Sequence, residues 1–162
     1  MIFVSVGSMF PFERLVRTVD AWSDARGIRE VLVQIGGGEY VPRHVKWIRS
    51  LSPSVFQSTV DTCDLLVAHV GMGTLLAGMQ AKKPMLLLPR IKALGEHTTD
   101  HQVHTARWMR GRQGIWIADN ETHLGELLDG FLAGEMRDLP ENVPPHASAE
   151  LIANVRRFLT SE

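Results

Sequence analysis

Five short strand-like runs constrain the fold more than any other feature of this sequence. They are Ile2-Phe3-Val4-Ser5-Val6, Val31-Leu32-Val33-Gln34-Ile35, Leu65-Leu66-Val67-Ala68, Met85-Leu86-Leu87-Leu88 and Ile115-Trp116-Ile117. Glycine and proline punctuate them: Gly7-Ser8 closes the first, Gly36-Gly37-Gly38 the second, Gly71 and Gly73 follow the third, Pro84 and Pro89 bracket the fourth, and Gly114 precedes the fifth. The runs are mostly continuous in apolar character rather than alternating, which is the pattern of strands buried on both faces. Helical stripes lie between them. Phe12, Leu15, Val16, Val19 and Trp22 recur at offsets of three and four up to Gly27, and similar stripes span Leu75 to Ala81, Thr99 to Met109 and Leu124 to Leu132. Strands alternating with helices predict an α/β fold with a parallel sheet.

The 162 residues suit one such core. No domain boundary is expected before about residue 135, so the expected division is a ligand-binding domain over 1–134 and a linker with a C-terminal helix over 135–162. The proline-containing stretch from Ala133 to Pro145 is the linker, and Leu151, Ile152, Val155, Phe158 and Leu159 stripe the helix. That helix either belongs to the same domain or docks on a partner.

Charge removes several classes of function. Seventeen Lys and Arg against eighteen Asp and Glu give a net charge of -1, so no global positive field exists to hold nucleic acid or an anionic membrane, and any phosphate site has to be local. The apolar runs are too short to span a bilayer, and no basic segment leads into an apolar one at the N-terminus. The single cysteine, Cys63, has no disulfide partner, which points to the cytoplasm, and its apolar helical context makes it a small core residue. The tryptophans at 22, 47, 108 and 116 are scattered and are expected to pack.

In open parallel sheets ligands bind beyond the carboxyl ends of the strands, and the unusual residues of this sequence cluster there. One loop is His69-Val70-Gly71-Met72-Gly73-Thr74. Its glycines let a backbone approach a ligand closely, and Thr74 falls at a helix start, where free N–H groups attract phosphate. A tight turn whose glycines only satisfy φ is the other reading of the same residues. A nicotinamide fingerprint fits worse: G-x-G-x-x-G would need a third glycine where Leu76 stands. A second loop carries Arg90, Glu96, His97, Asp100, His101 and Gln102. A carboxylate and an amide there suit sugar hydroxyls, which both donate and accept. His97, His101 and His104 have one-turn spacings open to zinc, but without the His-Glu core of H-E-x-x-H no metal is expected. Ser8 lies outside a nucleophile elbow and reads as a turn or phosphate contact.

Together these stretches resemble the C-terminal, donor-binding domain of family 28 glycosyltransferases, most closely the small soluble subunit of two-chain UDP-sugar transferases. The resemblance rests on Val4-Ser5-Val6-Gly7-Ser8 with Phe12, on Gln34-Ile35-Gly36, on His69 through Thr74, and on Pro89-Arg90 running through Gly95-Glu96-His97 to Asp100-His101-Gln102. The subunits it resembles are bacterial exopolysaccharide glucuronosyltransferase subunits and the catalytic subunit of the dolichol-linked N-acetylglucosaminyltransferase. It implies a Rossmann-like parallel sheet with helices on both faces, equivalent to the C-terminal half of a two-Rossmann-domain enzyme.

It also implies a UDP-sugar donor, with glucuronic acid or N-acetylglucosamine as the sugar, a lipid-linked saccharide acceptor, and a membrane-anchored subunit that brings the acceptor half. The chain would then sit in the cytoplasm, peripheral at the inner membrane face. By position, Gly71, Met72, Gly73 and Thr74 would surround the diphosphate with His69 close by. Asp100 and Gln102 would meet the sugar, with Arg90, Glu96, His97 and His101 in the same donor loop, and Gly7 and Ser8 would line the cleft. One departure stands out: several relatives hold the ribose with a glutamate in the helix that here reads Leu75-Leu76-Ala77-Gly78-Met79-Gln80, leaving Gln80 as the candidate for that role.

The expected chemistry is inverting transfer, in which an acceptor hydroxyl attacks the anomeric carbon as the nucleoside diphosphate leaves. The helix start at Gly73-Thr74, His69 and Arg90 would meet the developing charge, without a metal cofactor, and the base is not assigned to any residue, a position on the partner chain being open. A sugar-nucleotide-binding or regulatory module that performs no transfer is the alternative.

Overall fold

A computed structural model describes residues 1–141 and 147–160. In it the chain forms β1 (Ile2–Ser5), α1 (Glu13–Arg26), β2 (Val31–Gln34), β3 (Lys46–Ile48), α2 (Pro53–Thr62), β4 (Leu65–His69) and α3 (Met72–Gln80). There follow β5 (Met85–Leu88), a 3-10 turn (Lys92–Leu94), α4 (His101–Met109), β6 (Ile115–Ile117), α5 (Glu121–Leu132) and α6 (Ala149–Thr160). The strands make one six-stranded sheet in the order β3-β2-β1-β4-β5-β6, every pairing parallel. This is the Rossmann-like architecture, with helices on both faces.

The continuous apolar runs explain the two cores. Ile2, Val4, Leu65, Val67 and Leu86 point to one face, where α1 and α5 cover them with Leu15, Val19, Leu124 and Leu128. Phe3, Leu66, Ala68, Met85 and Leu87 point to the other, under Val60 of α2, Leu75 of α3 and Ala106 of α4. Gly78 sets how closely α3 lies on the sheet, because a Cβ there would fall 2.3 Å from the Met85 sulfur. Cys63 is buried, and desolvation pushes its thiol up to about 11, in keeping with an inert core role.

Two elements lie outside the sequence pattern. The edge strand β3 is three exposed residues with no apolar run, and α2 shows few apolar positions, its start marked instead by Ser52, whose Oγ accepts from Val55 N, and by Pro53 in the first turn. Trp108 is 82% exposed, so it does not pack as expected, whereas Trp22 is buried and donates to Asp129. After α5 the chain stays on the body: Met136 and Pro140 are buried, and the backbone at Leu139 and Pro140 runs against Gly114. Residues 142–145 of the expected linker lie outside the described residues. Every residue of α6 is exposed, its apolar stripe included. Among the described residues no helix is long and apolar enough to cross a membrane.

Candidate functional site

The sheet order reverses direction between β1 and β4, since the chain leaves β1 toward β2 on one side and returns to β4 on the other. Loops diverging at such a point leave a crevice above the strand ends. Here the crevice has two connected parts that share Gly7, Ser8, Gly73 and Thr74. The larger, of about 800 Å³, runs toward β3 and α2, between Gln34, Arg49 and Phe56 on one wall and Leu76, Ala77 and Gln80 on the other. The smaller, of about 270 Å³, is bounded by Met9, Phe10, His69, His97, His101 and Gln102. Among the described residues neither part has an aspartate or glutamate in its lining, while arginine or histidine contributes to both.

At the junction α3 begins with Gly71 as its N-cap, in extended conformation and with no side chain capping the first turn. The N–H groups of Met72, Gly73 and Thr74 are therefore left without helical partners at the positive end of the helix, beside the shared space. A Cβ on Gly73 would meet nothing within 4 Å, so this glycine faces open cleft. Gly7 and Gly71 have another reason to be glycine: both pack against the His69 ring, and an added Cβ would come within 2.5 Å and 2.2 Å of it, respectively. Gly7 also adopts a φ of +82°. Burial, then the charge of Arg90, lowers the His69 imidazole to about 4, with the Ser5 carbonyl opposing; its buried Nδ1 finds no hydrogen-bond partner among the described residues. His69 is thus neutral at pH 7.

A closed network holds the β1 end of the crevice. Ser5 Oγ donates to Gln34 Oε1 at 2.9 Å and accepts from Gly7 N, while Gln34 Nε2 donates to the carbonyls of Gly7 and Arg49. Gln34 joins the β1-to-α1 loop to the wall of the larger cavity. Exchanging it for glutamate turns two donors into acceptors aimed at carbonyls. Gln34→Glu is expected to lose about 2 kcal/mol or more in a denaturant unfolding measurement, with Gln34→Ala losing less because it buries no charge.

The β5-to-α4 loop is less available to a ligand than its polarity implied. Glu96 is gripped by Arg14, with N···O distances of 2.6 and 2.8 Å, and accepts from Ile91 N; it faces α1, outside both cavities. Asp100 accepts from Lys92 N and is likewise outside the lining. Gln102 does line the smaller cavity, with Oε1 fixed by the N–H groups of Val70 and Arg90. His97 lies edge-on between Phe10 and His101, at ring separations of 5.0 and 4.5 Å, forming a rim. Among the described residues no group of three or more His, Cys, Asp or Glu is placed to hold a metal. Sequence reasoning missed Gln57 and Arg49 in the larger cavity because both belong to the unread stretch around β3 and α2.

No protein-family model and no curated protein matches the chain. Solved structures do. The glycotransferase of kitacinnamycin aligns at 21% identity with a TM-score of 0.62, over 98% of this chain and 38% of that one. The spinosyn forosaminyltransferase SpnP aligns at 15% identity and 0.60, over 98% and 44%. ALG13, solved in solution by NMR, aligns at 19% identity and 0.58, over 98% of this chain and 94% of its own. The chain therefore has the fold of one part of glycosyltransferases more than twice its length, and also of a chain close to its own size.

Proposed function

We propose that this chain is the nucleotide-sugar-binding catalytic subunit of a two-component inverting glycosyltransferase. The observation that carries the reading is the acid-free crevice at the point of strand-order reversal, with the uncapped start of α3 at its centre. Its larger part has the volume and the partly apolar walls that suit a nucleoside, and its smaller part, past the α3 start, suits a diphosphate and sugar. The donor is a UDP-sugar, with glucuronic acid or N-acetylglucosamine transferred to a lipid-linked saccharide.

In this scheme an acceptor hydroxyl attacks the anomeric carbon from the face opposite the leaving diphosphate, inverting it. The C–O bond to the diphosphate breaks as the new glycosidic bond forms, and the hydroxyl proton passes to a base on the partner. Negative charge gathering on the leaving group meets the first-turn N–H groups of α3 and the neutral His69 imidazole, with no metal required. Gln102 presents its amide to the sugar, and Gln80, in the cleft wall, takes the ribose.

The acceptor site belongs to a second, membrane-anchored subunit. One sheet leaves the crevice open on the side away from the strands, and the aligned segment makes up less than half of the kitacinnamycin and spinosyn enzymes. The exposed stripe of Leu151, Val155 and Leu159 on α6 supplies part of the docking surface. A reconstitution tests this. The purified chain is expected to bind UDP in calorimetry without magnesium, and to give no transfer from UDP-glucuronic acid or UDP-N-acetylglucosamine to lipid. Membranes from cells lacking the chain should regain transfer into the lipid fraction when it is added. Robust transfer by the chain alone defeats the split-enzyme reading, and donor binding with no transfer on membranes favours the sensing module.

A further inference from the structure

Arg90 is among the largest fully buried side chains of the protein, 2% exposed, and its immediate hydrogen-bond partners are carbonyls rather than a carboxylate. The four N–H groups of its two terminal nitrogens meet four backbone oxygens: Pro11 at 2.7 Å and Glu96 at 3.1 Å from one, Val6 and Phe10 at 2.6 Å from the other. Three of these carbonyls lie in the β1-to-α1 loop and the fourth in the β5-to-α4 loop, so one guanidinium fixes both rims of the smaller cavity. The Phe12 ring backs it at 4.9 Å. Glu96, the nearest candidate for a counter-ion, lends Arg90 only its carbonyl and gives its carboxylate to Arg14. No ion pair to Arg90 within 4.0 Å is found among the described residues.

We propose that Arg90 is the positioning residue of the diphosphate subsite: a fixed, water-shielded cation that shapes the two loops around the smaller cavity and gives that cavity its preference for an anion. The proposal rests on the reading that the cavity takes the diphosphate of a nucleotide sugar. A neutral plug would suffice to staple two loops. A cation whose direct partners are all dipoles, and whose nearest carboxylate, Glu96, is already paired with Arg14, has unspent attraction, and burial keeps water and salt from screening it. Burial lowers the guanidinium to about 10, against the pull of Glu96, so it stays charged at neutral pH. Because its terminal donors hold the loops, Arg90 acts on the phosphates through its field and through the placement of Gly7, Ser8 and the Phe10–His97 rim.

The test compares UDP with uridine, which lacks the phosphates, by NMR or calorimetric titration of wild type, Arg90→Gln and Arg90→Lys, with thermal melts as the fold control. Arg90→Gln is expected to weaken UDP binding tenfold or more while uridine stays within twofold. Arg90→Lys, which keeps the charge with fewer donors, should fall between and supplies the same comparison if the glutamine variant does not fold. Equal losses for both ligands in a folded variant, or unchanged UDP affinity, overturn the proposal. Wild-type chain that binds uridine but not UDP also overturns it while leaving a nucleoside site, and wild type that binds neither defeats the donor-site reading and this proposal together.

Discussion

Gly73→Val is expected to abolish UDP binding by calorimetry while leaving the melting temperature nearly unchanged, and Gly71→Ala is expected to lose both. The two glycines lie two residues apart at the start of α3, yet they meet different surroundings. A Cβ at Gly73 enters open cleft, and its backbone is helical, so a branched side chain costs the fold little while filling the space where phosphate would approach the first-turn N–H groups. A Cβ at Gly71 would lie 2.2 Å from His69 Nε2, and the same edge of the ring is also packed close against Gly7. Either His69 leaves its slot or α3 shifts, at about 1–3 kcal/mol for overpacking of this kind. Full UDP affinity in the Gly73 variant would move the phosphates away from α3, and an unchanged melting temperature in the Gly71 variant would show that this contact is soft.

That contrast also marks where the sequence stops being legible. Five of the six strands and the order of most helices follow from apolar runs and stripes, because burial on two faces leaves a local signature in composition. The glycine turn at 71–73 was legible for a similar reason, since a close-approach loop after a buried strand needs residues without a Cβ. Nothing local distinguishes Gly71, which clears a ring, from Gly73, which faces open cleft. The β5-to-α4 loop shows the limit more sharply. Its charged residues read as ligand contacts, and nothing local showed that Glu96 pairs with Arg14, 82 positions away, or that Arg90 donates to carbonyls up to 84 positions away. Such partners depend on the strand order that brings β5 near β1. Asp100 was read as a sugar contact from its residue type and from the resemblance, and residue type gave no sign that its carboxylate also accepts from Lys92 N beside the 3-10 turn. The unread elements, β3 and α2, carry part of the larger cavity, so one side of its wall had no forewarning in periodicity.

Lowering the pH from about 6.5 to about 4 is expected to strip away a distinct part of the stability, and His69→Gln is expected to flatten that limb of the curve. A histidine in the unfolded chain takes up its proton near 6.5, whereas the folded chain resists protonation of His69 until about 4, because burial and the neighbouring Arg90 charge both oppose a second cation. Between those values the unfolded state binds more protons, so stability rises with pH across the window, is fully present above about 6.5 and levels off below about 4. The whole limb is worth on the order of 3 kcal/mol. His97 is lowered in the same direction, first by desolvation and then by His101 and Arg90, and adds to the same limb. The lowered carboxylates Asp20, Asp119 and Asp129 act from their ordinary values downward and give a separate loss at lower pH. Denaturant unfolding at half-unit pH steps separates the two regions, and a limb as steep in His69→Gln as in wild type would take His69 out of the acid response. A bound diphosphate opposes the shift, since an anion beside the imidazole favours its charged form; UDP binding should therefore take up protons near pH 5, visible as a buffer-dependent heat that His69→Gln lacks.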